Sequence, residues 1–230
     1  KRRLIDELPD GGPVILDVKD AVVGSWAREL GAAVVAPLCD TIIPTLGVAG
    51  RHQRANAALA GAAALAFGCP QSALVEGLKR FRGLPHRLQT VAEIQGRRFI
   101  NDSKSTTPAA TIAALKACGD DVWLLAGGLS KDADDSMLPE AVVARARGVA
   151  YFGDSRGDLF AATRRVAAEF ESEYFATLDE ALAWCWHRSR RGDTILLSPA
   201  CASFDQYRGF EHRGEHFVEL VNDLARRCAS

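Results

Sequence analysis

The 230-residue sequence predicts an α/β fold, a largely parallel sheet with helices on both faces. Three observations carry that expectation. From residue 88 onward, strand-length apolar runs alternate with longer runs of helical spacing. The run 122–126 is apolar at every position and 194–197 nearly so, as strands covered on both faces require. Polar stretches rich in glycine or hydroxyls follow several of these runs, at the place where open sheets of this class gather ligands.

The first part of the chain is thinner. Residues 14–17, 32–35 and 41–46 read as strands, and 20–30 place Ala21, Val22, Trp26 and Leu30 on one helical face. Residues 51–67 form a long Ala-rich helix stopped by Gly68 and Pro70, and 71–81 a second helix ended by Gly83. These elements suffice only for a thin layer, and the sequence opens on Lys1 rather than Met. The expectation is therefore a piece of a longer protein. Residues 1–84 are read as the tail of one domain, and residues 85–230 as a second domain entered through the linker Leu84-Pro85-His86-Arg87. In that second domain, 88–94 and 97–100 flank Gln95-Gly96 as a hairpin. Helix 111–117, strand 122–126, helix 137–145, strand 148–152 and helix 159–170 follow. Strand 174–176, helix 178–189, strand 194–197 and helix 211–227 complete the order.

Composition excludes several function classes. Hydrophobic residues make up 48% and charged residues 25%, with a net charge of −1, so no global charge favours nucleic acid or an anionic membrane. No apolar run approaches the ~20 residues needed to cross a bilayer, and no secretory signal is visible. The six cysteines form no C-x-x-C pair and none sits near a histidine at metal spacing, so the sequence implies no metal site and a reduced, cytoplasmic protein.

Chemistry concentrates at the strand ends. Asn101-Asp102-Ser103-Lys104-Ser105-Thr106-Thr107-Pro108 lies where a strand hands over to a helix. Thr106 or Thr107 as N-cap with Pro108 at the first helical position explains part of it. It leaves Asp102 and Lys104 unexplained, and a mobile cation among hydroxyls at a helix start suits a carboxylate or phosphate. Gly127-Gly128-Leu129-Ser130-Lys131 follows the second such strand, Gly153-Asp154-Ser155 another, and Ser198-Pro199-Ala200-Cys201-Ala202-Ser203 the last. In a parallel sheet these ends share one edge, so Lys104, Lys131 and Ser203 are expected to converge on an anionic small molecule. Elsewhere the plainer reading is preferred. His52 and Asn56 read as a polar helix start, Trp184 and Trp186 as packing with His187 at the surface, and Asp132, Asp134 and Asp135 as solvated. No G-x-x-x-x-G-K-[ST] phosphate loop and no Ser/His/Asp nucleophile arrangement is readable.

Several strings together resemble the Mur ligase family. They are Gly83-Leu84-Pro85-His86-Arg87, Ile100-Asn101-Asp102-Ser103-Lys104, Gly127-Gly128 with Lys131, and Leu196 through Ser203 running on to Asp205-Gln206, Phe210-Glu211, Arg213-Gly214 and Phe217. Asn-Asp-Ser-Lys is similar to the branch that adds D-glutamate. The resemblance implies a Rossmann-like C-terminal domain preceded by the tail of an α/β central ATPase domain. It implies an ATP-dependent ligase of peptidoglycan biosynthesis, in which the carboxylate of UDP-N-acetylmuramoyl-L-alanine is phosphorylated and the D-glutamate amine attacks the acyl phosphate. Carried over by motif, Lys131 and Thr106 would hold the D-glutamate α-carboxylate, and Ser203, with backbone near Phe204 and Phe210, its side-chain carboxylate. Asn56, Arg87 and Asp102 would face ATP, and Lys104 would lie near the reacting groups as the catalytic lysine. Ligands for Mg2+ would lie upstream of Lys1. The chain departs from the family pattern at Gln53, where Asn is usual, and at Leu129-Ser130, where an acidic residue is common. On this resemblance the partners are small molecules, the protein is a monomer, and this chain alone does not turn over. A competing class is a non-catalytic module of the same fold that binds an anionic ligand or a partner.

Overall fold

The computed structural model describes residues 2–8, 12–30, 34–48, 50–130 and 137–229. Lys131, Asp132, Asp134 and Asp135 lie outside the described residues, as does the side chain of His52. The chain forms two compact units, Lys1–Arg82 and Gly83–Ser230.

The first unit contains α1 (Arg2–Asp6), β1 (Val14–Ile15), α2 (Ala21–Leu30), β2 (Val34–Val35), α3 (Arg51–Ala66) and α4 (Gln71–Arg80). β1 and β2 pair in parallel, Val14 opposite Val34. The Asp20 carboxylate accepts from the N–H groups of Val22 and Val23 and so starts α2. Residues 41–46 are not the strand their apolar pattern predicts. The Arg54 guanidinium, reaching from α3, takes the carbonyls of Asp40, Ile43 and Pro44, and Pro44 has no N–H to give a ladder. Ile43 instead turns inward against Ala57 and Ala58, with Leu38, Leu46 and Leu78 around it. The short α1, which the sequence did not suggest, is tied down by Arg2 pairing with Asp6 and with Glu29.

The second unit runs β3 (Gln89–Ile94), β4 (Arg97–Asn101), α5 (Pro108–Cys118), β5 (Val122–Gly127), α6 (Met137–Arg145) and β6 (Ala146–Phe152). It continues with α7 (Arg156–Val166), β7 (Ser172–Tyr174), α8 (Leu178–Arg188), β8 (Thr194–Ala200) and α9 (Phe210–Ala229). The six strands lie in the order β3-β4-β8-β5-β6-β7. The β3–β4 hairpin is antiparallel, and every other pairing is parallel. Period-2 alternation sorts the core into two layers. Trp123 and Leu125 of β5 face one side with Phe99, Ile195 and Leu197, under Leu178, Leu182 and Cys185 of α8 and Phe217 and Val221 of α9. Val122, Leu124 and Ala126 face the other side with Leu196 and Tyr151, under Leu115 of α5, Leu138 and Val142 of α6 and Leu159 of α7.

Boundaries follow local chemistry. α5 starts with Thr107 in the N-cap position and Pro108 as its first residue, although the Thr107 hydroxyl makes no cap hydrogen bond. α8 opens with a full capping box between Thr177 and Glu180. α7 ends at Val166, earlier than its apolar spacing implies, because Ala167 is already extended and its carbonyl accepts from Phe170 N–H in a turn. That turn also brings β7 forward to Ser172–Tyr174. Trp184 stacks edge-on to Trp123 at 5.6 Å and Trp186 packs on Phe99 at 6.0 Å, while His187 is exposed. All six cysteines are free thiols.

Candidate functional site

Because β4, β8, β5 and β6 are mutually parallel, their C-terminal ends open on one rim of the sheet. Asn101–Lys104, Ala200–Ser203, Gly127–Leu129 and Gly153–Ser155 therefore lie side by side, as the sequence pattern anticipates. The loops are stitched together by backbone. Leu129 N–H donates to Ala202 carbonyl at 2.9 Å, and Ala202 N–H to Leu129 carbonyl at 3.0 Å. Gly128 N–H reaches Phe152 carbonyl, Ser155 N–H reaches Gly128 carbonyl, and Ala200 N–H reaches Ser105 carbonyl. Gly128 adopts φ 128°, and a methyl group there would overlap the Ala202 carbonyl oxygen, so this close approach of two loops needs glycine.

One side chain binds the rim from below. Arg213, on the first turn of α9, is 0% exposed. Its Nε donates to Ser103 Oγ at 3.1 Å, and Nη2 to the carbonyls of Ser103 at 3.0 Å and Cys201 at 3.1 Å. Its Nη1 donates to the carbonyls of Ala202 at 3.3 Å and Gly127 at 3.4 Å. Three loops from distant parts of the sequence thus share one guanidinium, and all five N–H groups of the fork have an acceptor. Burial pushes its pKa down to about 10, with Asp205 pulling the other way, so it stays charged at neutral pH. A cation held beneath the loops by carbonyls and one hydroxyl, with no carboxylate in ion-pair contact among the described residues, leaves the rim with positive potential. Sequence reasoning quoted Arg213 only within a motif and gave it no role. The signal was present: Arg213 falls in register with the buried Phe217, Val221 and Leu224 of α9, so a charged residue occupies the apolar stripe of the helix.

The residues singled out from sequence distribute as follows. Lys104 is exposed, with Nζ 4.6 Å from the centre of the Phe210 ring. Phe210 is half-buried at the start of α9, and its carbonyl accepts from Ser103 Oγ at 2.8 Å. Thr106 is half-buried between Lys104 and the start of α5. Ser203 is buried, and its carbonyl accepts from Tyr207 N–H at 2.8 Å, while the neighbouring Phe204 is 66% exposed. Asp102 is 5% exposed; Oδ1 accepts from Leu88 N–H at 3.1 Å and Oδ2 from Ser198 Oγ at 2.8 Å. Arg87 is exposed and immediately precedes Leu88, whose N–H meets Asp102. Asn56 is exposed on α3 of the first unit. Lys131 lies outside the described residues, but Leu129, two positions before it, is bonded to Ala202, one position before Ser203.

Among the described residues, no three His, Cys, Asp or Glu side chains lie close enough together to hold a metal ion. Among the described residues, no helix is long and apolar enough to cross a membrane.

A family profile described as "Mur ligase, glutamate ligase domain" matches residues 86–201. The chain belongs to the Mur ligase family. It is 42% identical over 182 residues to UDP-N-acetylmuramoylalanine–D-glutamate ligase of Pelotomaculum thermopropionicum, covering 79% of this chain and 40% of the relative. It is 32% identical over 245 residues to the protein of the same name in Solibacter usitatus, covering 97% of this chain and 55% of the relative. The chain therefore spans about half or less of these relatives' length. Solved structures share the fold. MurF from Acinetobacter baumannii matches with a TM-score of 0.70 at 19% identity, over 98% of this chain and 54% of that one. A Mycobacterium tuberculosis folylpolyglutamate synthase, solved with ADP and AMPPCP, matches with a TM-score of 0.65 at 15% identity, over 85% of this chain and 52% of that one.

Proposed function

We propose that this Mur ligase chain carries the D-glutamate-accepting part of an ATP-dependent ligase that joins D-glutamate to UDP-N-acetylmuramoyl-L-alanine through an acyl phosphate. The observation that carries the reading is the Arg213-bound rim, where the loops bearing Lys104, Thr106 and Ser203 and the loop leading to Lys131 meet over a buried cation. Joining two anionic substrates is a problem of charge, and fixed cations and dipoles solve it without reorganisation. On this reading Lys131 and Thr106 hold the α-carboxylate of D-glutamate. Ser203 and the backbone near Phe204 and Phe210 hold its side-chain carboxylate, which leaves the amine directed outward. Lys104, seated on the Phe210 ring, screens the reacting groups.

ATP is the phosphate donor. Arg87 supplies a guanidinium suited to phosphate oxygens. Asp102, whose carboxylate accepts from Leu88 N–H and Ser198 Oγ, is proposed to accept from a ribose hydroxyl as well. Asn56 is proposed to contact ATP on the family resemblance alone. Magnesium enters no step assigned to these residues. The protein is proposed to be a cytoplasmic monomer, and residues 1–230 alone, with no phosphate loop, to bind without turning over.

The test is ATP-dependent phosphate release in the presence of UDP-N-acetylmuramoyl-L-alanine and D-glutamate by the intact ligase, with L-glutamate as control. Lys131→Ala is expected to weaken D-glutamate use by roughly 2–5 kcal/mol, the range for loss of one partner of a buried charge pair. Unchanged KM and kcat for D-glutamate in that variant would remove the assignment.

A further inference from the structure

The segment that carries Arg87 is held in a conformation its residues do not favour. His86 has φ 61° and Leu88 φ 45°, so both neighbours of Arg87 lie in the left-handed region. A Cβ disfavours that region, and bulky residues occupy it only where their surroundings over-determine them. The surroundings here are specific. Leu88 N–H donates to Asp102 Oδ1 at 3.1 Å, and His86 N–H to Gln89 Oε1 at 3.0 Å. The His86 carbonyl accepts from Lys104 N–H at 3.1 Å, and Arg87 N–H reaches Leu84 carbonyl at 3.3 Å.

The His86 ring is fixed as well. Its Nδ1 is 3.1 Å from Asn101 Nδ2, and that same amide nitrogen donates to Gly214 carbonyl at 2.9 Å. An amide nitrogen only donates, so Nδ1 is the acceptor and the ring proton sits on Nε2. Phe210 meets the ring edge-on at 6.2 Å. Gly214 lies directly against it, and a methyl group at 214 would overlap Nδ1. The strand end at Asn101, the helix α9 at Gly214 and the Asp102 carboxylate thus grip three consecutive residues whose middle side chain is left exposed.

We propose that residues 86–88 form a strained strap that presents Arg87 to the nucleotide phosphates, and that His86, Asn101 and Gly214 are positioning residues acting through Arg87. This rests on the reading above that Arg87 faces ATP. A guanidinium on a free loop must be ordered at each binding event, whereas one on a pinned strap is ordered in advance. The strap also joins the two halves of the reaction. Lys104 N–H and Asp102 Oδ1, which hold it, belong to the loop assigned to the reacting groups and the nucleotide.

A double-mutant cycle in the intact ligase tests the strap, read by ADP affinity in calorimetry and by KM for ATP against kcat. Gly214→Ala is expected to weaken ADP binding and raise KM for ATP about tenfold with little change in KM for D-glutamate. Arg87→Ala is expected to do at least as much. In the double variant the Gly214→Ala effect should vanish, leaving it within twofold of Arg87→Ala alone. His86→Asn, which tolerates left-handed backbone but lacks the ring, gives the same cycle should Gly214→Ala not fold. Multiplying effects in either cycle, or Gly214→Ala and His86→Asn both leaving ADP affinity unchanged, would overturn the strap while leaving the nucleotide reading intact. Failure of the wild-type protein to bind ADP at all would overturn both.

Discussion

Arg54 and Arg213 do similar work in different units of this chain, and the contrast separates a brace from a keystone. Each guanidinium gathers backbone carbonyls from an irregular segment. Arg54 does so with its Nε on the Asp40 carboxylate at 2.8 Å, near water, and within one stretch of neighbouring sequence. Arg213 has no carboxylate within ion-pair distance among the described residues, is fully buried, and joins loops whose positions in the chain are far apart. A charge taken out of water is tolerated only when every donor is used. The buried arginine is therefore all-or-none, whereas the half-exposed one can be replaced in part by solvent.

That contrast can be broken by measurement. Arg213→Met removes the five N–H donors that the Ser103 hydroxyl and the carbonyls of Ser103, Cys201, Ala202 and Gly127 share, so it should cost about 3–5 kcal/mol in chemical denaturation. A loss near 1 kcal/mol would mean that the rim loops hold themselves. Alkali should come next in effect and should act on the second unit. Burial pushes Cys118 up to about 11 and Tyr207 up to about 12, and raises Cys185 and Tyr151 as well. The unfolded chain releases these protons first, so their stabilisation is complete below pH 9 and is lost as pH climbs through the folded values. The lowered pKa of Arg213 works in the opposite sense above pH 10, so the clean window is pH 9 to 10, where the denaturation midpoint should fall. A midpoint that rises there would contradict the sign.

Arg54→Ala should cost less, about 1–2 kcal/mol, because water can reach the carbonyls it leaves. Smallest in energy, but sharpest as a comparison, is thiol labelling. Cys39 in the first unit is exposed, and its hydrogen bond with Thr41 lowers its pKa. Cys185 in the second unit is buried and raised. Iodoacetamide followed by peptide mapping should modify Cys39 first and Cys185 only on unfolding.

The parts of this fold that could be read from sequence were those with a local cause. The apolar run at 122–126 is β5, the Gln95-Gly96 turn does join antiparallel strands, and Thr107-Pro108 does open α5. The residues 41–46 misled because their alternation is satisfied by tertiary contacts: Ile43 packs inward, but Arg54 takes the carbonyls a ladder would use. The shared rim was legible because parallel strands must end on one edge. What sequence could not supply was the wiring. Nothing local says that Asp102 holds Leu88, that Asn101 bridges His86 to Gly214, or that Arg213 reaches under three loops. Each of those bonds spans more than ten positions, and its partner has no neighbourhood signature.

The strand order has a consequence for how such a chain is made. β8 lies between β4 and β5, yet it is synthesised after every other strand of this sheet, and Arg98 meets Thr194 across ninety-six positions. Until residues 194–200 leave the ribosome, β4 and β5 each present an open edge that only a strand not yet translated can close. A nascent chain halted before that point exposes two unpaired strand edges and no completed rim. α9 then packs on the sheet that β8 has completed, so the shared rim forms only after both segments are made.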